Sequence, residues 1–195
     1  MAASSLVDDT LIAMLPDGST VTDTGDETDR ALSAWLEKPV SLVDAREVPA
    51  SEAEFFADAT DDASEAVAWT MPAGRFVDAL PLLVLTTASL RAGADRHAVG
   101  DWNVRRFRPN VLVEADGDDW LEDAWVGHEL HIGDVVLTVV APCARCTMVT
   151  RPQPGLARDL DVFKTLAREH GGSYGVWAAV TTPGVVRVDM PVAVG

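Results

Sequence analysis

Apolar residues recur along this chain in short runs divided by turn residues, and only three stretches carry helical spacing. The first run, Leu11 to Leu15, closes on Pro16-Asp17-Gly18, a turn signal. Ala31, Leu32, Trp35 and Leu36 then share one helical face, Thr28 stands where a cap is wanted, and Pro39 ends the helix. Val40 to Val43 reads as a strand. From 44 to 75, acidic positions broken by Phe55, Phe56 and Trp69 predict a surface-exposed helix or excursion. Phe76 to Thr86 is strongly apolar and predicts a buried strand with an edge or bulge at Pro81. The helix opening at Thr87 to Ala92, capped by Thr86 or Thr87, brings backbone N–H groups and hydroxyls together, an arrangement that binds anions. Further strands are predicted at Val111–Val113, Glu129–Ile132, Asp134–Val140, Arg145–Thr150, Tyr174–Thr181 and Val185–Val188. Leu160, Phe163, Leu166 and Ala167 mark a helix between Asp159 and His170, stopped by Gly171-Gly172. Many short strands with two or three helices predict a mainly β, barrel-like fold with a few flanking α-helices.

Composition narrows the function classes. The 195 residues carry 15 basic and 31 acidic side chains, a formal charge of −16, which argues against a nucleic-acid or anionic-membrane surface. The run Ala79 to Leu85, interrupted by Pro81, is far too short to cross a bilayer, and the N-terminus shows no basic segment followed by an apolar core. The two cysteines are three positions apart, so a reducing compartment is the default. The expectation is a soluble cytoplasmic protein without nucleic-acid or membrane partners.

All thiol chemistry lies in Pro142-Cys143-Ala144-Arg145-Cys146-Thr147. A thioredoxin-type pair wants a helix start, whereas the residues after Cys146 read as β. A zinc site recruiting His128 and His131 is opposed by their spacing, which puts them on opposite faces of a strand. Buried packing is the bland account, and it suits Cys143 best. Cys146 has Arg145 beside it and Arg105, Arg106 and Arg108 elsewhere, a setting that favours thiolate and holds an anion. A thiolate among arginines suits a soft or high-valent metal carried on a phosphorylated cofactor.

Five segments in order then resemble the signatures of the MOSC family, the molybdenum cofactor sulfurase C-terminal domain. They are Arg106-Phe107-Arg108-Pro109-Asn110-Val111, Glu122-Asp123-Ala124-Trp125-Val126-Gly127, Ile132-Gly133-Asp134-Val135, Pro142-Cys143-Ala144-Arg145-Cys146 and Pro183-Gly184-Val185-Val186-Arg187-Val188. Asp78-Ala79-Leu80-Pro81 and Leu85 to Leu90 are similar to the segment that opens that domain. The resemblance implies a MOSC domain over 76–195, and a remnant of the family's N-terminal β-barrel domain over 1–75 without its Tyr-Pro-Val-Lys-Ser type motif. Met190 stands where many relatives carry glycine. It further implies binding of the molybdenum cofactor (molybdopterin), with Cys146 as metal ligand and catalytic residue. Arg108 and Asn110 fall on the pterin and phosphate contacts, assisted by Thr87, Ser89, Arg106 and Arg145. The activity implied is reduction of N-hydroxylated or related small substrates, with electrons from a separate protein such as a ferredoxin or flavoprotein. The alternatives are a cofactor or sulfur carrier using a Cys146 persulfide, and a scaffold that has lost the chemistry.

Overall fold

A computed structural model describes residues 3–7, 10–56, 65–71 and 80–195, which fall into two compact units: 1–54 with 68–76, and 55–67 with 77–195. In the first unit β1 (Ala3–Val7), β2 (Thr10–Met14) and β3 (Thr20–Thr22) form an antiparallel meander. The turn between β2 and β3 is the one anticipated at Pro16-Asp17-Gly18, with Asp17 accepting from the Ser19 amide and hydroxyl. Helix α1 spans Asp26–Leu36. It begins after Gly25, earlier than Thr28, because the buried Thr28 hydroxyl donates to Thr22 O inside the helix. Glu37, in the left-handed region, ends it two residues before Pro39. Val40 to Val43 is not a strand. Its backbone is held by helix side chains instead, Val40 by the Ser33 hydroxyl and Leu42 by Asp29.

Between 44 and 75 the described elements are one 3-10 turn at Ala45–Glu47 and, in place of an α-helix, two strands, β4 (Ser51–Phe56) paired with β5 (Ala66–Met71), in keeping with their aromatic and β-branched content. The segment Phe76 to Ala79, with the Asp78-Ala79 part of the domain-opening motif, lies outside the described residues.

The second unit is mainly β. Its sheet has the order β11-β8-β9-β10-β6-β7, built from β6 (Leu82–Thr86), β7 (Val111–Val113), β8 (Glu129–Ile132), β9 (Val135–Ala144), β10 (Ser173–Thr182) and β11 (Val192–Val194). Only β6 and β7 are parallel. Val113 of one edge strand and Val192 of the other share a core with Val84, Leu130, Leu137 and Val139, so the sheet curls into a nearly closed six-stranded barrel. Strand β6 begins just after Pro81, which has no N–H to give a ladder, and it is the wall between two cores. Val84 faces the barrel, while Leu85 faces a second cluster with Trp102, Phe107, Val149, Leu166 and Tyr174.

Two helices complete this unit. Helix α2 (Thr87–Arg96) is capped by the Thr86 hydroxyl, which accepts from the Ser89 amide, and α3 (Leu160–Glu169) by Asp159. Two expected strands are absent. Thr147–Thr150 is a 3-10 turn, closed by the Thr150 hydroxyl on Thr147 O, while β9 extends to Ala144 because Ser173 pairs with it. Val185 to Val188 leads into a turn in which Met190 N bonds Arg187 O, and the last strand forms later, at Val192–Val194 against β8. Among the described residues no helix is long and apolar enough to cross a membrane.

Strand β10 enters the sheet through a bulge that depends on Gly175. Its φ is +76°, and a Cβ there lies 2.7 Å from Val84 O. Gly175→Ala should therefore cost about 2 kcal/mol or more, read as a fall of about 4–8 °C in thermal unfolding midpoint; an unchanged midpoint would show that the bulge relaxes.

Candidate functional site

The register of the barrel gathers one rim. Strands β6 and β7 end together at Thr86 and Val113, β10 starts beside the end of β6, and β9 ends beside the start of β10, with Ala144 opposite Ser173. Helix α2, the segment after β7, the Arg145-Cys146 turn and the Gly171-Gly172 turn all leave from this rim.

Along the end of β9 successive side chains alternate faces. Cys143 is buried, Ala144 exposed, Arg145 half-buried and Cys146 exposed. The sulfur that Arg145 reaches is accordingly that of Cys143, not that of its neighbour Cys146: Nη1 donates to Cys143 Sγ at 3.2 Å and Nη2 to Phe107 O at 2.7 Å. Arg145 N bonds Gly172 O at 2.9 Å, and its Nε is buried with no partner among the described residues. Cys146 is extended and opens the 3-10 turn, and Met148, two residues on, is also exposed.

The three clustered arginines have three different fates. Arg105 ties two loops, its Nη1 on Pro154 O and its carbonyl accepting from Gln153. Arg106 is 1% exposed; Nε bonds Asp101 O, Nη2 bonds Asp101 Oδ2 and Ala157 O, and Nη1 is buried without a partner among the described residues. Arg108 is exposed, its φ is +54°, and its guanidinium has no hydrogen-bond or ion-pair partner among the described residues. Asn110 forms a reciprocal pair with Leu83, its N–H on Leu83 O and its Oδ1 accepting from Leu83 N at 2.8 Å.

At the start of α2 the hydroxyls are already engaged. Thr86 Oγ1 and Ser89 Oγ both donate to Glu122 Oε2, at 2.7 and 2.6 Å, and Tyr174 OH donates to Ser89 O. Thr87 Oγ1 exchanges hydrogen bonds with Ala115 N and O. Burial pushes the Glu122 carboxyl above the ordinary glutamate value, against the pull of the Ser89 and Thr86 hydroxyls. Burial likewise pushes the Tyr174 phenol far up, and the Glu122 charge adds to it. Beside Glu122, Asp123 meets His170 Nε2, whose other ring nitrogen faces Ser173 O and whose ring stacks on Trp120.

Of the residues singled out from the sequence, Arg145 is thus brought to the Arg106–Arg108 segment. Ser89 and Thr87 are committed to Glu122 and Ala115, and Asn110 is committed on one side to β6. The set His128, His131, Cys143 and Cys146 is not assembled as a zinc site: among the described residues no group of three or more His, Cys, Asp or Glu is placed to hold a metal. Glu122 falls within the segment Glu122 to Gly127, and nothing in the sequence marks it for a role. One acidic residue in an acidic chain carries no signal that two hydroxyls 36 and 33 positions away will converge on it.

The MOSC domain family matches residues 71–193. Molybdenum cofactor sulfurase of Anopheles gambiae is 30% identical over 115 residues, 51% of this chain and 14% of that protein. Molybdenum cofactor sulfurase 2 of Culex quinquefasciatus is 31% identical over 108 residues, 49% of this chain and 14% of that protein. The match therefore spans only 14% of the length of these curated relatives. Among solved structures, YiiM from Geobacillus stearothermophilus aligns over 77% of this chain and 74% of that one, with 14% identity and a TM-score of 0.46.

The Glu122 network makes a pH-dependent prediction. A carboxyl raised on folding binds its proton more tightly in the folded state, so its contribution to stability falls as pH rises through the window above the ordinary glutamate value. Glu122→Gln, which keeps an acceptor oxygen, should gain on wild type as pH is raised through that window. Glu122→Leu should cost about 2–4 kcal/mol because both hydroxyls lose their acceptor. Denaturant unfolding at a series of pH values checks both, and parallel wild-type and Glu122→Gln profiles would refute the first.

Proposed function

The chain belongs to the MOSC domain family, and from that membership we propose that it binds a molybdenum–pterin cofactor through Cys146 and serves as an oxidoreductase for N-hydroxylated or related small substrates. The observation that carries this reading is the asymmetry of the two thiols. Cys146 is turned to solvent at the end of β9, on the rim where α2 also begins, while Cys143 is buried.

The donor set suits such a group. An exposed thiol is a soft ligand once deprotonated. Arg108 holds an unspent guanidinium, the donor geometry that phosphate recognition uses. Asn110, with Oδ1 fixed on Leu83, is oriented so that its amide nitrogen is the donor it has to offer. Ser89 and Arg106 act behind these contacts, Ser89 by holding α2 to Glu122 and Arg106 by pinning its loop to Asp101 and Ala157. When bound, the molybdenum centre supplies two-electron redox chemistry; reduction of a hydroxylamine to an amine takes two electrons and two protons and releases water. In this reading the electrons come from a separate ferredoxin or flavoprotein.

A second reading has a specific basis. The curated relatives are molybdenum cofactor sulfurases, and an exposed Cys146 suits a sulfur carrier that accepts a persulfide sulfur from a donor cysteine and passes it on.

Purification from a host that makes the cofactor, followed by assay of molybdenum and of oxidised-pterin fluorescence, separates the two. Near-stoichiometric metal that disappears in Cys146→Ala is the expected result, with turnover of a model amidoxime or hydroxylamine by an artificial donor. A persulfide on Cys146 without metal would establish the carrier instead. Arg108→Ala should lower retained pterin about tenfold, and Arg105→Ala much less, since Arg105 is occupied by Pro154. Equal losses would mean the arginines act as a diffuse field.

A further inference from the structure

We propose that Cys143 is a positioning residue of this site, orienting Arg145 so that it fixes the backbone of Arg108. The proposal rests on the reading that Arg108 meets the cofactor. Cys143 is 1% exposed and shares its face of the chain with Arg145, two residues on. A guanidinium is a planar fork, so contacts at its two Nη atoms determine its plane. Here one Nη is on Cys143 Sγ and the other on Phe107 O, while Nε has no partner among the described residues; the two Nη contacts set the orientation.

Phe107 O belongs to the peptide group that also carries the Arg108 N–H, and that unit is planar. Arg145 holds its carbonyl end at 2.7 Å, and Val104 O accepts from its N–H end at 3.1 Å. Both ends of the peptide are pinned, and the pinned plane is what keeps Arg108 at φ +54°, a left-handed conformation that a non-glycine residue adopts only where surroundings impose it. The line of action runs from the Cys143 sulfur through Arg145 and the Phe107 carbonyl to the direction in which the Arg108 side chain leaves the chain. A role as mere core filler would not require an acceptor at position 143; this one does.

Amide hydrogen exchange on the purified chain without cofactor reads the positioning directly, at the Arg108 amide, with the Val139 amide, bonded to His128 O in the barrel, as the global reference. Cys143→Val keeps an apolar side chain of similar size and deletes the acceptor; it should speed exchange at Arg108 about tenfold relative to Val139. Arg145→Ala should do the same, and Cys143→Ser, which restores an acceptor, should return exchange towards wild type. Acceleration shared equally by Val139, or none at Arg108 in either Cys143→Val or Arg145→Ala, overturns the proposal. In chains loaded with cofactor, Cys143→Val should lower retained pterin in the wild-type background and add little to Arg108→Ala; additive losses also overturn it. Absence of pterin from wild type, with the exchange pattern as expected, would sink the cofactor reading and leave the positioning of Arg108 standing.

Discussion

Everything at the candidate site depends on the antiparallel register that sets Ala144 of β9 opposite Ser173 of β10. Side chains on a strand alternate faces, so this register sends Cys143 and Arg145 inward and Cys146 outward. A slip by one residue would bury Cys146 and expose Cys143, exchanging their chemistry. Gly175 supports the arrangement, because the bulge that lets β10 follow both β9 and β6 needs a left-handed residue whose backbone passes close to Val84 O.

The rim employs polar groups in two distinct ways. Glu122, Thr86, Ser89 and Tyr174 form a buried network whose hydroxyls are turned into the protein, holding the first turn of α2 to the 3-10 turn at Leu121–Trp125. Such a network raises the cost of any alternative placement of α2, since each buried group left unpaired costs about 1–3 kcal/mol. His170 makes a parallel link on the same turn, joining the end of α3 to Asp123 and stacking on Trp120. Arg108 and Cys146 are the opposite case: exposed, and without side-chain partners of their own among the described residues.

Between these two groups stand Arg106 and Arg145, cations directed inward in a chain of net charge −16. Neither is a surface counter-charge. Arg106 gathers Asp101 and Ala157, and Arg145 joins the end of β9 to the segment before Arg108, so each carries loop geometry to the rim. Rigid support behind exposed donors is what recognition of an anionic ligand requires, because donors oriented before binding lose less freedom when the ligand arrives.

Much of this was legible in the sequence. The mainly β character, the helix opening at Thr87 with Thr86 among its candidate caps, the helix between Asp159 and His170, and the family itself follow from local periodicity, cap chemistry and motif order. The 3-10 turn after Cys146 and the late last strand did not follow, because whether an apolar β-branched run forms a ladder depends on the presence of a neighbour edge, as Val192–Val194 has and Val185–Val188 lacks. Nor did the pairing of Arg145 with Cys143, or the convergence of Thr86 and Ser89 on Glu122. The amino-acid order by itself determined which residue types are available and where the capped helices and the turns fall. The tertiary structure alone decided which of those polar groups are spent on one another and which are left exposed, since that depends on contacts between segments 33 or more positions apart.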